Sequence, residues 1–315
     1  MSDVRASSKL IPITRRRLLT GLFISAGIAM TMPLVANAQS SESIQIYRHT
    51  REGPGSVNSY IVEAQNGVVL IDAQRVLSEA QVVADKIKTI GKPLQAVLVT
   101  HPHPDHFGGL AAIIEQFPDV PVYSSAATAE EMATDSHGFM AATKEAFPDD
   151  TPEEYALPTH TFADGDRLTF GDISLVVDEI GPGESETMSM FYSPDSNSLF
   201  TGDLVAYAMT PFVLENRLEA WQEQLAAVKA EYGAASPRIM PGHGVPGEFS
   251  TLLDWQSDYL GTTASLVSQA KEDGSVEDTE IADIIRGIQE AYPDHQPVAG
   301  IPNLLELNIR TLADD

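Results

Sequence analysis

The stretch Thr100-His101-Pro102-His103-Pro104-Asp105-His106-Phe107-Gly108-Gly109 constrains the fold of this chain more than any other, because three imidazoles and a carboxylate crowd into six consecutive positions. Such groups lose hydration and disturb one another when gathered, unless a cation satisfies them. Imidazole nitrogen and carboxylate oxygen are ligands of zinc and its first-row neighbours. The apolar run Leu94–Val99 predicts a strand leading in, and Gly108-Gly109 with Leu110, Ala111, Ile113 and Ile114 predicts a helix leading out. Strand, ligand loop and helix therefore follow in order, which puts chemistry at the carboxyl end of a strand. Pro102 and Pro104 fix their own φ and bias the preceding histidines to extended backbone, so His101 and His103 project to one side with period two.

The remaining pattern has two strand-rich halves. Strands are expected near Ile44–Arg48, Val57–Glu63 and Val68–Ile71, then a helix near Ser78–Ile90 before the histidine strand. A second block carries strands at Leu168–Phe170, Ile173–Ile180, Met188–Tyr192 and Leu199–Phe200, with Gly171-Asp172 and Asp195-Ser196-Asn197 as turns. Helices are expected at Leu218–Glu231 and Leu252–Ala270 around a strand at Pro237–Met240, followed by helices near Ile281–Glu290 and Leu304–Leu312. Two strand-rich halves that each supply helices fit an α+β fold, a four-layer αβ/βα sandwich in which two sheets pack face to face between helices. One domain fits better than two, and no internal repeat divides the chain.

The first 38 residues stand apart. Thr14-Arg15-Arg16-Arg17-Leu18-Leu19, an apolar run from Leu18 to Met32 and the exit Ala36-Asn37-Ala38 resemble a twin-arginine export signal, with the mature domain over residues 39–315. Thr20, Gly21, Ser25 and Gly27 interrupt the apolar run, which is short for a bilayer span. A periplasmic or secreted location is expected, with the twin-arginine machinery as a partner. The chain has no cysteine, so disulfides and thiolate ligands are excluded and every metal ligand must be nitrogen or oxygen. Removing the leader takes five of 19 Lys+Arg and one of 45 Asp+Glu, leaving 14 − 44 = −30. That field opposes phosphate backbones and anionic headgroups, so neither nucleic acid nor membrane is an expected partner; a small-molecule substrate is.

Two further glycine turns carry potential ligands after apolar strands: Thr201-Gly202-Asp203 and Pro241-Gly242-His243-Gly244. Singly, each residue reads as a turn-former. The order His-x-His-x-Asp-His, strand-Gly-Asp, Pro-Gly-His-Gly over residues 44–247 resembles the metallo-β-lactamase superfamily, whose metals lie at the edge where two sheets meet. The resemblance implies that His101 and His103 bind one metal, that Asp105, His106 and His243 bind a second, and that Asp203 bridges both. Where that family usually has Gly-His-Ser or Gly-His-Thr, this chain reads Gly181-Pro182-Gly183-Glu184-Ser185-Glu186-Thr187. Glu184 takes the histidine's register, with Glu186 as the alternative, as in the alkylsulfatase branch. That branch differs in having a glutamate at the Asp203 position and further domains. Tyr207 is close to, but out of register with, a tyrosine of the lactonases.

The resemblance implies two divalent metal ions, zinc first on ligand type with manganese or iron admitted by the oxygen-rich shell. It also implies hydrolysis of an ester, lactone or related bond by water whose pKa the metals lower, with Asp105 orienting that water and Asp203 setting the metal spacing. The alternative class is a mono-iron dioxygenase of the same fold, or a metal-binding protein without catalysis. Ser124–His160, with Met132, His137, Phe139, Met140, Phe147 and Tyr155, is a candidate roof offering an apolar acyl or alkyl surface.

Overall fold

The computed structural model describes residues 44–314 apart from 273, 275 and 294. The export leader expected over residues 1–38 lies outside them. The described residues belong to one contact unit.

The first sheet runs β1 (Gln45–Thr50), β2 (Asn58–Ala64), β3 (Gly67–Ile71), β4 (Leu94–Leu98), β5 (Val122–Ser125) and β6 (His160–Phe162), in that spatial order. β1, β2 and β3 pair antiparallel and the rest parallel. Parallel neighbours need crossovers. These are α1 (Leu77–Ile90), the pair α2 (Pro104–Phe107) and α3 (Leu110–Gln116), and the pair α4 (Ala126–Thr134) and α5 (Phe139–Ala146). The second sheet holds β7 (Arg167–Phe170), β8 (Ile173–Glu179), β9 (Ser189–Ser193), β10 (Ser198–Ala206) and β12 (Arg238–His243), ordered β12-β10-β9-β8-β7. Between β10 and β12 come β11 (Met209–Thr210) and α6 (Leu218–Tyr232). The chain ends with α7 (Phe249–Lys271), α8 (Asp278–Ala291), β13 (Gln296–Pro297), which pairs with β11, and α9 (Leu304–Ala313).

Strand alternation builds the layers. In β3, Val69 and Ile71 face the second sheet, where they meet Leu175, Val177, Phe191 and Phe200. Val68 and Leu70 face the other way, against Ala80, Val83, Ala84 and Ile87 of α1 and Leu110 and Ile113 of α3. The α1 positions are spaced i, i+3, i+4, i+7, one stripe of a helix. Gly91, in the left-handed region, donates its N–H to the Ile87 carbonyl and ends that helix. Burying a side chain such as Ile87 contributes about 1.5–3 kcal/mol. On the outer face of the second sheet, Leu199 and Ile239 pack under Trp221, Leu225, Leu252 and Leu260, with Ile281, Ile284 and Ile309 from the last two helices in the same cluster. Helix, sheet, sheet, helix is the four-layer sandwich that the pattern predicts.

The structure corrects several expectations. Thr201-Gly202-Asp203 is not a turn after a strand but the middle of β10. Gly202 sits at φ +48 and shifts the register with β12, from Phe200↔Met240 to Gly202↔Pro241, and the ladder then continues. A bulge of this kind re-aims a side chain without ending the strand. Pro241-Gly242-His243 likewise lies inside β12. The helices α4 and α5 and the short strands β5 and β6 were not predicted, because strands of three or four residues with a polar half carry little periodic signal.

Candidate metal centre

β4 ends before Thr100, and the chain then turns through extended His103 (φ −79, ψ 134) into the single turn α2, with Pro104 as its first residue. His101 and His103 leave the loop together, while Asp105 and His106 ride on the helical turn. β10 contributes Asp203 and β12 contributes His243. The β8–β9 loop folds back, Gly183 N–H donating to the Ser185 carbonyl (2.9 Å) and the Ser185 hydroxyl to the Thr187 carbonyl (2.7 Å), and turns Glu184 inward.

Two groups result, each with ligand-capable atoms within 4.8 Å of one another: His101, His103, Glu184, Asp203, and Asp105, His106, Asp203, His243. Asp203 belongs to both. Its Oδ1 lies 3.1 Å from His106 Nε2, and its Oδ2 lies 3.0 Å from His243 Nε2 and 4.0 Å from His101 Nε2. Glu184 lies 3.1 Å from His103 Nδ1 and 3.6 Å from His101 Nε2, and Asp105 Oδ2 lies 3.3 Å from His243 Nε2. The seven residues singled out in the sequence thus come together. Glu186 does not join them: its side chain is 61% exposed and pairs with Arg217 and His137.

Each imidazole is oriented from behind. The Thr100 hydroxyl donates to Asp72 and therefore accepts from His101 Nδ1 (2.9 Å). His106 Nδ1 donates to Asp72 Oδ2 (2.7 Å), His243 Nδ1 donates to the Ser56 carbonyl, and His103 Nε2 donates to Glu215 Oε1 (2.8 Å). With the outer nitrogens so engaged, the inner ones present lone pairs to the cluster. His101 Nε2, His106 Nε2, His243 Nε2, Asp203 Oδ1 and both Glu184 oxygens are buried with no hydrogen-bond partner. Buried polar atoms are normally paired, and six orphans aimed at one another fit the coordination of cations.

The charges agree. Burial, then the neighbouring His106 charge, pushes the His101 pKa well below its ordinary value, which keeps that ring neutral. Burial also lowers His103, His106 and His243, but the facing carboxylates outweigh it, and His243 is raised to about 9. Burial pushes Glu184 up to about 7. Burial raises Asp105 and Asp203 too, but Arg75 beside the first and His243 beside the second hold them well below the usual carboxylate range.

Four contributors escaped the sequence reading: Asp72, Thr100, Arg75 and Glu215. Asp72 follows the apolar β3, a strand-end carboxylate of the kind that revealed Asp203, so a signal existed. Asp72 and Gln74 adopt left-handed φ of 58° and 68°, local strain of the sort that gathers at functional sites. Arg75 Nη2 reaches Asp105 Oδ2 (3.0 Å) and the carbonyls of Gly55 and Val298 (both 3.2 Å), and nothing in its local sequence announces this. Tyr207 packs against Trp255 rather than at the cluster.

The cluster opens into a cavity of about 680 Å³, counting its open mouth. Part of the expected roof is there: Phe139 and Phe147 line the cavity, whereas Met132 is buried in the core beneath the first sheet and Tyr155 packs on Phe107.

A four-layer sandwich with paired histidine and carboxylate clusters meeting at its edge defines a class of metal-binding αβ/βα proteins. The chain belongs to the metallo-β-lactamase superfamily, whose sequence profile matches residues 53–246. A metallo-β-lactamase from Pontibacter korlensis is similar at 26% identity and TM-score 0.57, over 70% of this chain and 96% of that one. One from Hirschia baltica shares the fold at 18% identity and TM-score 0.53, over 69% and 93%. Among curated relatives, the uncharacterized protein YobT of Bacillus subtilis is 29% identical over 47% of this chain and 61% of its own. A hydroxyacylglutathione hydrolase of Thermosynechococcus vestitus is 29% identical over 40% of each. The chain spans less than two thirds of the length of these curated relatives.

Proposed function

We propose that this protein is an exported, dinuclear metal-dependent hydrolase acting on an ester, lactone or related bond. The observation that carries this reading is the sharing of Asp203 between two four-residue groups. His101, His103 and Glu184 would hold one divalent cation, Asp105, His106 and His243 the other, and Asp203 both. Zinc is the first choice on ligand type, and three carboxylates leave room for manganese or iron. When bound, such a pair supplies Lewis acidity and a water of lowered pKa. The protein's part is to keep that chemistry in place. Asp72 fixes His106 directly and His101 through Thr100, and Glu215 fixes His103. Asp105, held ionised beside Arg75 and lining the cavity, is placed to orient an attacking water by accepting its hydrogen bond.

A second complete group of four weighs against a mono-iron dioxygenase, which needs one cation. A hydroxyacylglutathione hydrolase among the relatives supports hydrolysis. Export by the twin-arginine route to the periplasm rests on sequence alone: Thr14–Leu19, the apolar run from Leu18 to Met32 and the Ala36-Asn37-Ala38 exit. Among the described residues, no helix is long and apolar enough to cross a membrane.

The test is elemental analysis of the purified mature chain together with initial rates on aryl ester, lactone, β-lactam, alkyl sulfate and phosphoester substrates, with and without chelator. Two metals per chain and a chelator-sensitive rate on an ester or lactone are expected. Fully metallated protein that turns over none of them would overturn the reading.

A further inference from the structure

The cavity beside the cluster has a wall of an unusual kind. Helix α5 reads Phe139-Met140-Ala141-Ala142-Thr143-Lys144-Glu145-Ala146 and buries none of its residues. Phe139, Ala142, Thr143, Ala146 and the following Phe147 all line the cavity. Their spacing, i, i+3, i+4, i+7, i+8, is the stripe with which a helix ordinarily enters a core. Here the stripe borders the cavity: Phe139 packs on side chains at its head, and Ala142, Thr143 and Ala146 line the space beyond. Phe212, Val298, Ala299 and Ile301 add to the lining, which is therefore largely apolar.

The charged and imidazole groups are gathered at the metal cluster. They are Asp105, Glu184, Asp203 and His103 of the cluster, with Arg75, whose Nη2 is committed to Asp105 and two backbone carbonyls. Phe139 marks the boundary: its ring meets His103 at 5.3 Å and Phe212 at 5.5 Å, edge to face. Beyond it, Ala142 and Ala146, one turn apart, leave room that larger side chains would fill. From Phe139 to Phe147 the stripe covers about 12 Å at 1.5 Å per residue.

We propose that this cavity binds an aliphatic acyl chain, laid along the α5 stripe with its carbonyl end at the cluster. The substrate is then an amphiphile, an ester or lactone of a medium-chain acid, and Ala142 and Ala146 set how long a chain is accepted. For catalysis this rests on the hydrolase reading above; for binding it stands without it.

The experiment is calorimetric titration of the metal-loaded full domain with butanoate, hexanoate, octanoate and decanoate below their micellar range. It is paired with kcat/KM for the matching 4-nitrophenyl esters. Affinity is expected to rise about threefold to fourfold for each methylene buried. Ala142→Trp and Ala146→Trp fill the channel and are expected to lower octanoate affinity at least tenfold, flattening the series. Leu157→Trp, at an exposed position outside the cavity, should keep the slope. Far-UV circular dichroism and metal content check that each variant is folded. Affinity independent of chain length, or an unaltered slope in both alanine variants, overturns the proposal. Graded binding without ester hydrolysis supports the acyl site and sinks the hydrolase reading. Hydrolysis with equal kcat/KM for butanoyl and octanoyl esters does the reverse.

Discussion

Glu184 and Glu186 are two residues apart in one loop, yet one is buried among imidazoles and the other is solvated beside Arg217 and His137. Sequence could name both as acidic and could favour Glu184 by register, but the inward turn of the loop is a matter of backbone hydrogen bonds that composition does not display. A buried carboxylate with neither oxygen hydrogen-bonded is costly unless a cation meets it. Glu184→Gln, which keeps shape and removes charge, is therefore expected to drop metal content from two ions per chain to one, read by elemental analysis. Glu184→His restores a neutral ligand and should recover the second ion; equal stoichiometry in all three proteins would remove Glu184 from the site. The histidine run was legible because four potential ligands in six positions are a local pattern. Arg75 and Glu215 were not, since each reaches its partner across the tertiary fold.

At the scale of elements, the centre depends on a tight crossing of β10 and β12. Gly202 supplies the left-handed residue that turns Asp203 inward, and Gly242 lies so close that a Cβ there would collide with Asp203 Oδ1. Gly242→Ala must push that carboxylate aside. It is expected to leave the sandwich folded by circular dichroism but to weaken metal binding tenfold or more, as loss of a positioning contact does in other metal sites. Retained affinity would show that Asp203 has slack. The same crossing explains where pattern reading fell short. Apolar runs located β2, β3, β4, β8 and β9 to within a residue or two, because each buries alternate or continuous apolar faces. A Gly-Asp pair inside a strand reads as a turn from sequence, since only pairing with a neighbour reveals a bulge. Helix α5 was missed for another reason: three of its five stripe positions are Ala142, Thr143 and Ala146, which give little apolar contrast.

For the whole molecule, protonation and metal binding pull in opposite directions. His243 is raised from about 6.5 to about 9 by Asp203 and Asp105, so in chelated protein it contributes stability that is full below pH 6.5 and lost as pH rises through 9. The amount is on the order of 3 kcal/mol at 1.36 kcal/mol per unit. Glu184, raised to about 7, acts with the same sign between its ordinary value and pH 7. His101, whose pKa is lowered, opposes this only below pH 6.5. The chelated protein should therefore melt at progressively lower temperature from pH 6.5 to 9. The stabilisation added by zinc should grow over the same interval, because binding needs neutral imidazole. Calorimetric scans at several pH values decide it; a chelated protein most stable at pH 9 would contradict the charge assignment.

Asp105 comes from the turn after a strand of the first sheet and Asp203 from a strand of the second, about 100 residues further along the chain. Joining two such points restricts an unfolded chain by about 4.7 kcal/mol in the simple loop-entropy treatment of cross-links. A sequence without cysteine has no covalent means of doing this. A cation gripped from both sheets would act as a reversible staple, so that survival against proteases becomes a gauge of how much metal the surroundings supply.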